Sequence, residues 1–193
     1  MNTRDQLLKE AETLARTCGY AAFSYADLAE RVGIRKASIH HHFPTQEALG
    51  VAFIDGYLEK FRSALARVRE NETSAPDRLR AYSAFFADSL RDGMMPLCAA
   101  LSAETVALPA SMQSRVRAFF QLHLDWLDSV LRDGIADGSL RADLDVIASA
   151  HMLLSVLEGA SLVAWALKDY AAIGPTFDQV LAGLISQDAR TLN

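Results

Sequence analysis

Helical periodicity runs through this chain almost without interruption, and it constrains the fold more than any other feature. Leu7, Leu8, Ala11, Leu14 and Ala15 repeat as one face of a helix, and similar spacing continues to the last apolar cluster, Phe177, Val180, Leu181, Leu184 and Ile185. Strand signals are missing: there is no sustained period-two alternation, no hairpin turn and few β-branched runs. An all-α fold is therefore predicted, cut by Gly, Pro and cap residues into about nine helices. Hydrophobic residues make up 51% of the 193 and charged ones 22%, which places the chain with folded globular proteins and away from the composition of disorder.

The cuts are specific. The first helix stops at Cys18-Gly19, where glycine can take the left-handed C-cap conformation. Ser24-Tyr25-Ala26-Asp27, a serine N-cap with an acid three positions on, opens a short helix that closes at Gly33. A second short helix covers Lys36 to His42, before Pro44. Thr45-Gln46-Glu47 then caps a long helix carrying Leu49, Phe53, Ile54, Tyr57, Leu58, Phe61 and Leu65, which frays after Asn71. Further helices are predicted at about 77–92, 97–107, 111–133, 144–168 and 176–187.

Several function classes drop out. The N-terminus lacks the charged and apolar regions of a secretory signal, so a cytoplasmic location is expected. Cys18 and Cys98 cannot form a disulfide framework or a four-ligand zinc site by themselves. His40-His41-His42 point about 100° apart along a helix and cannot close on one ion. Cys98, His123 and His151 read as core or pocket residues rather than ligands. Neither metal nor cofactor is expected. No phosphate loop, nucleophile elbow or His-Glu-x-x-His helix is present, so no enzyme is predicted. Val146 to Leu167 contains no Lys or Arg and is long enough to span a bilayer, yet His151, Ser155, Glu158 and Ser161 would be expensive in lipid. A helix buried in a bundle explains it better, and no membrane partner is expected.

The net charge of −5 argues at first against nucleic acid, but residues 1–46 hold six Lys/Arg against five Asp/Glu and leave the remainder at −6. The informative stretch is Phe23 to Phe43. Two short helices joined through Gly33 form a helix-turn-helix whose second helix can enter the major groove. Leu28, Ala29, Val32, Ile34 and Ile39 are placed to pack inside. Arg35, Lys36, Ser38, His40 and His41 are left outside, where Arg and Lys can donate to guanine or phosphate and Ala37 permits close approach to a thymine methyl.

The run Phe-Ser-Tyr-Ala-Asp-Leu-Ala-Glu-Arg-Val-Gly-Ile, followed by Lys-Ala-Ser-Ile-His-His-His-Phe-Pro-Thr-Gln-Glu-Ala-Leu, resembles the DNA-binding signature of tetracycline-repressor (TetR) family regulators, over about residues 5–58. The resemblance implies a three-helix DNA-binding domain at 1–46 and a helical ligand-binding and dimerisation domain at 47–193. It implies that Ser24 and Tyr25 meet phosphate, that Arg35, Lys36, Ala37 and His40 lie near base edges, and that Ser38, His41 and Thr45 meet the backbone. Two positions depart from the pattern. Gln46 stands where the family commonly has a phosphate-binding lysine, and Arg35 where a small capping residue is common.

For the remainder, the resemblance implies that the last two helices pair with their copies as a four-helix bundle, giving a homodimer suited to a palindromic operator. Ser155, Gly159 and Val163, with Ala160 and Ala164 beside them, would let helices approach closely. It also implies a small-molecule effector site among the middle helices, for which Phe61, Phe86, Cys98, Phe120, His123, Glu158 and Trp165 are the candidates. Cys98 admits two readings: a thiol activated at a helix start as a redox or electrophile sensor, or an inert buried one. The expected function is a ligand-responsive repressor of transcription. The alternative is a helical small-molecule-binding or scaffold protein that does not bind an operator.

Overall fold

A computed structural model describes residues 2–186. Among the described residues nine α-helices follow one another: α1 Thr3–Thr17, α2 Tyr25–Val32, α3 Lys36–His42, α4 Gln46–Asn71, α5 Ala75–Arg91, α6 Leu97–Ala103, α7 Ala110–Ala136, α8 Val146–Leu167 and α9 Ile173–Ala182. Two 3-10 turns, Thr105–Ala107 and Tyr170–Ala172, join α6 to α7 and α8 to α9. Among the described residues, strand-type pairing is limited to one isolated antiparallel bridge, Leu140 with Ile185. The end of the predicted 176–187 helix, Gln187, lies outside the described residues.

The chain divides into two compact units. The first comprises Met1–Phe61 and Met94–Phe120; the second comprises Arg62–Gly93 and the chain from Gln121 onward. This division differs from the one expected at residue 46, since packing assigns α4 and α7 partly to each unit.

In the first unit α1 packs on α2, and α2 on α3. Leu7 and Ala11 of α1, Leu28 of α2, Ile39 of α3 and Leu49 of α4 are wholly buried, as the apolar face requires. Removing one such leucine side chain would cost about 2–5 kcal/mol. Val32 and Ile34, expected inside, are half-buried at the turn. In the second unit α5, α8 and α9 pack mutually. Leu79, Tyr82, Phe86 and Leu90 supply the buried stripe of α5, and Ile173, Phe177 and Leu181 that of α9.

Three boundaries differ from expectation for identifiable reasons. Helix α7 runs past Gly134 to Ala136 instead of stopping near 133. A Cβ on Gly134 would lie 2.6 Å from both the Ala75 Cβ and Leu140, so glycine here permits close approach and does not end the helix. Helix α9 begins at Ile173, with Pro175 tolerated in its first turn. Helix α6 ends at Ala103, and Glu104 turns the chain into the 3-10 segment.

Candidate functional site

The helix-turn-helix is built by local rules. The Ser24 hydroxyl accepts from the Ala26 and Asp27 amides while the Asp27 carboxylate accepts from the Ser24 amide at 2.7 Å, a reciprocal capping box. The Ser24 hydroxyl also donates to the Asp27 carboxylate at 2.8 Å, and this bond, followed by that from the Ser24 amide, holds the Asp27 carboxyl below its ordinary range. At the other end Gly33, with φ +73, donates its amide to Ala29 O at 2.9 Å and turns the chain toward α3.

Helix α3 exposes Lys36, Ala37, Ser38, His40 and His41 and buries only Ile39. Arg35, its exposed N-cap residue, makes no side-chain capping bond. The His40 ring is set edge-on to Tyr25 at 4.9 Å, with Nδ1 3.3 Å from Pro44 O. Thr45 caps α4 by accepting from the Ala48 amide at 3.0 Å.

Tyr25, expected at phosphate, and Gln46, which stands where the family commonly has a phosphate-binding lysine, are both occupied internally. Tyr25 is only 6% exposed, and its hydroxyl lies 2.8 Å from Phe43 O and 2.7 Å from Thr45 O, which share its proton. Burial raises this phenol to about 12. Gln46 donates its side-chain amide to Phe23 O at 3.0 Å and Tyr20 O at 3.3 Å, bracing the turn between α1 and α2. Tyr25→Phe is accordingly expected to lower stability by ~1–2 kcal/mol, because two carbonyls lose a donor. Chemical denaturation checks this, and an unchanged midpoint would contradict the internal role.

The candidate effector residues fall into separate groups. In the second unit the Tyr82 hydroxyl and His123 Nδ1 are 2.6 Å apart, and both side chains are fully buried. Phe86 stands edge-on to Tyr82 at 5.5 Å, and Trp126 stacks on Tyr82 at 5.2 Å. Desolvation holds the His123 imidazole down at about 3, so it is neutral. The Trp126 indole N–H and both Glu158 carboxyl oxygens are buried with no hydrogen-bond partner among the described residues. Desolvation raises Glu158 to about 7.

Phe61 and Phe120 of the first unit both meet Phe119, at 5.2 and 5.9 Å between ring centroids. Trp165 stacks on Tyr170, with Lys168 Nζ 4.4 Å from its ring centre. Cys98 is fully buried at the second position of α6, whereas Cys18 is exposed. Among the described residues no group of three or more His, Cys, Asp or Glu could hold a metal ion.

The family model for bacterial regulatory proteins of the tetR family matches residues 7–52, and that for the tetracyclin repressor-like C-terminal domain matches 75–179, more than half of the chain. The chain belongs to the TetR family. A TetR-family transcriptional regulator from Agrobacterium tumefaciens superposes with a TM-score of 0.91 at 35% identity, over 95% of this chain and 97% of that one. The HTH-type transcriptional repressor KstR2 of Mycolicibacterium smegmatis is 28% identical over 74% of this chain and 70% of its own length. The repressor NemR of Escherichia coli is 25% identical over 84% of each.

Within this TetR-family chain, Tyr82 and Glu104 were not singled out by the sequence. Tyr82 offers one local signal, its spacing of four from Phe86 on an amphipathic helix. Glu104 offers none, since its partners Tyr20 and Ala21 lie more than 80 residues away.

Proposed function

We propose that this TetR-family protein is a ligand-responsive transcriptional repressor that binds a palindromic operator as a homodimer and releases it when a small-molecule effector binds. The observation that carries the reading is the outer face of α3: Arg35, Lys36, Ala37, Ser38, His40 and His41 are exposed on a capped helix-turn-helix fixed from beneath by Ile39. Arg35 and Lys36 supply the donors that base edges and phosphates take up, and the short side chains of Ala37 and Ser38 allow the helix to seat in the groove. Ser24 and Thr45 flank this face at the starts of α2 and α4.

Dimerisation is supported by α8. Ile147, Met152, Leu162, Val163 and Leu167 are exposed at 65, 40, 53, 59 and 71% in the single chain. A groove of about 360 Å³ beside them is lined by Ser155, Gly159, Ala160, Val163 and Ala164, among others, together with residues that lead into α9. A second copy crossing here would bury apolar surface along α8, with the charge among the lining residues confined to Asp169, just beyond the helix. Among the described residues α8 alone is long and apolar enough to cross a membrane by length and composition, and pairing with a second copy accounts for the same apolar surface.

The effector site is assigned to the second unit around Phe86, His123 and Glu158, to which Tyr82 and Trp126 are added. Tyr82, Phe86, His123 and Trp126 form one buried aromatic cluster, and the Trp126 N–H and the Glu158 oxygens are buried polar atoms of the same unit that a ligand can satisfy. An effector releases DNA only if it binds better to a form whose recognition helices are wrongly placed. Helix α4, which starts at the helix-turn-helix and continues into the second unit, is the natural lever.

The test is selection of bound genomic fragments by the purified protein, followed by titration of a selected fragment. Lys36→Ala is expected to weaken binding about tenfold and to reduce the salt slope by about 1, with unfolding unchanged. Failure to select any fragment would overturn the reading.

A further inference from the structure

We propose that Glu104 is the positioning residue through which α6 holds the helix-turn-helix in one orientation, by accepting two backbone N–H groups from the turn that joins α1 to α2. The proposal rests on the repressor reading above. It adds which side chain connects α6 to the DNA-binding helices within the first unit.

The geometry is bidentate. Glu104 Oε1 accepts from the Tyr20 amide at 2.8 Å and Oε2 from the Ala21 amide at 2.8 Å, so each oxygen holds one N–H in a charge-assisted bond. The backbone comes close to the carboxylate at Gly19, where φ is +101 and an added Cβ would lie 2.6 Å from Oε1. Glu104 itself is the C-cap of α6, the point where that helix gives way to the 3-10 turn.

The other end of α6 is fastened to the same region. Arg16 Nε donates to Met95 O at 2.7 Å, and the Met95 amide donates to Arg16 O at 3.3 Å, just ahead of Leu97. Arg16 is 7% exposed and also pairs with Glu12 at 3.1 Å. Helix α6 is thus tied at both termini, to the last turn of α1 and to the turn that follows it. Gln46 grips the carbonyls of that turn, at Tyr20 and Phe23, while Glu104 grips its amides.

The turn ends at Ser24, the N-cap of α2. Any displacement of α6 must therefore carry the turn and α2 with it or break two charge-assisted bonds. By reciprocity, whatever orients the helix-turn-helix must be felt in α6. A passive brace would add stability and transmit nothing, and that difference is measurable.

The experiment compares amide hydrogen exchange in wild type, Glu104→Ala and Glu104→Gln, each with and without a DNA fragment selected by wild type. In wild type, DNA is expected to slow exchange in α2–α3 and also in α6. In Glu104→Ala, DNA should still slow exchange in α2–α3 but leave α6 unchanged, and Tyr20 and Ala21 should exchange about tenfold faster or more without DNA. Glu104→Gln keeps one acceptor oxygen and turns an NH2 toward the other amide, so it should show part of this loss if the alanine variant does not fold. An α6 that ignores DNA in wild type, or responds equally in the variants, overturns the proposal. A wild type that selects no DNA fails the repressor reading instead. The DNA-free comparison then decides: faster exchange throughout α2 and α3 on losing Glu104 supports the tether, and acceleration confined to Tyr20 and Ala21 refutes it.

Discussion

Val163→Glu is expected to leave a folded monomer and to lower operator affinity by at least about a hundredfold. Val163 is 59% exposed in the single chain and borders the α8 groove, so the substitution costs the isolated fold almost nothing. In a dimer paired along α8, each new carboxylate would lie in an apolar interface. Burying an unpaired charge there costs several kcal/mol, and two are buried at once. Loss of the dimer then separates the two recognition helices, and a single α3 contacts too few bases to hold an operator. Sedimentation gives the mass, far-UV circular dichroism checks that the helices persist, and a DNA titration gives the affinity. A Val163→Glu protein that still sediments as a dimer would exclude α8 as the pairing surface.

Glu158→Gln is expected to stabilise the protein by about 3 kcal/mol at pH 8 and by little at pH 4, a difference that follows from burial of an unpaired carboxyl. In the unfolded chain Glu158 ionises above its ordinary 4.5, but in the folded chain desolvation keeps the proton on until about 7. The folded state therefore holds more protons between these values, and its stability falls as pH rises through that window. His123 acts with the opposite sign. Its ordinary value is 6.5, burial lowers it to about 3, and the unfolded state takes up the proton first. Its contribution is complete above 6.5 and is lost as pH falls toward 3. Between 4.5 and 6.5 the two slopes oppose each other, so these groups together leave stability nearly level there, with losses on both sides. Denaturant unfolding of wild type and variant across pH 3–8 isolates Glu158 through the difference between them, since the other carboxylates cancel. A difference independent of pH would show that the Glu158 carboxyl is not desolvated.

How much of this molecule could be read in advance depends on the range over which each feature is encoded. The all-helical class, the capping box of Ser24 with Asp27, the turn at Gly33 and the outward set from Arg35 to His41 all rest on residues within about one helical turn of one another. Periodicity and cap chemistry are sufficient at that range, and the sequence by itself determined these features. The breaks at Gly134 and near Pro175 were misplaced because each residue type has two local meanings. Only the neighbours, Ala75 and Leu140 for Gly134, decide between stopping a helix and admitting a close approach. Tertiary structure alone turned the Tyr25 hydroxyl and the Gln46 amide inward, paired Tyr82 with His123 across 41 residues, and brought Glu104 to the amides of Tyr20 and Ala21 across more than 80. A hydrogen bond between distant segments leaves no periodic trace along the chain. It exists only once packing has brought its donor and acceptor within about 3 Å.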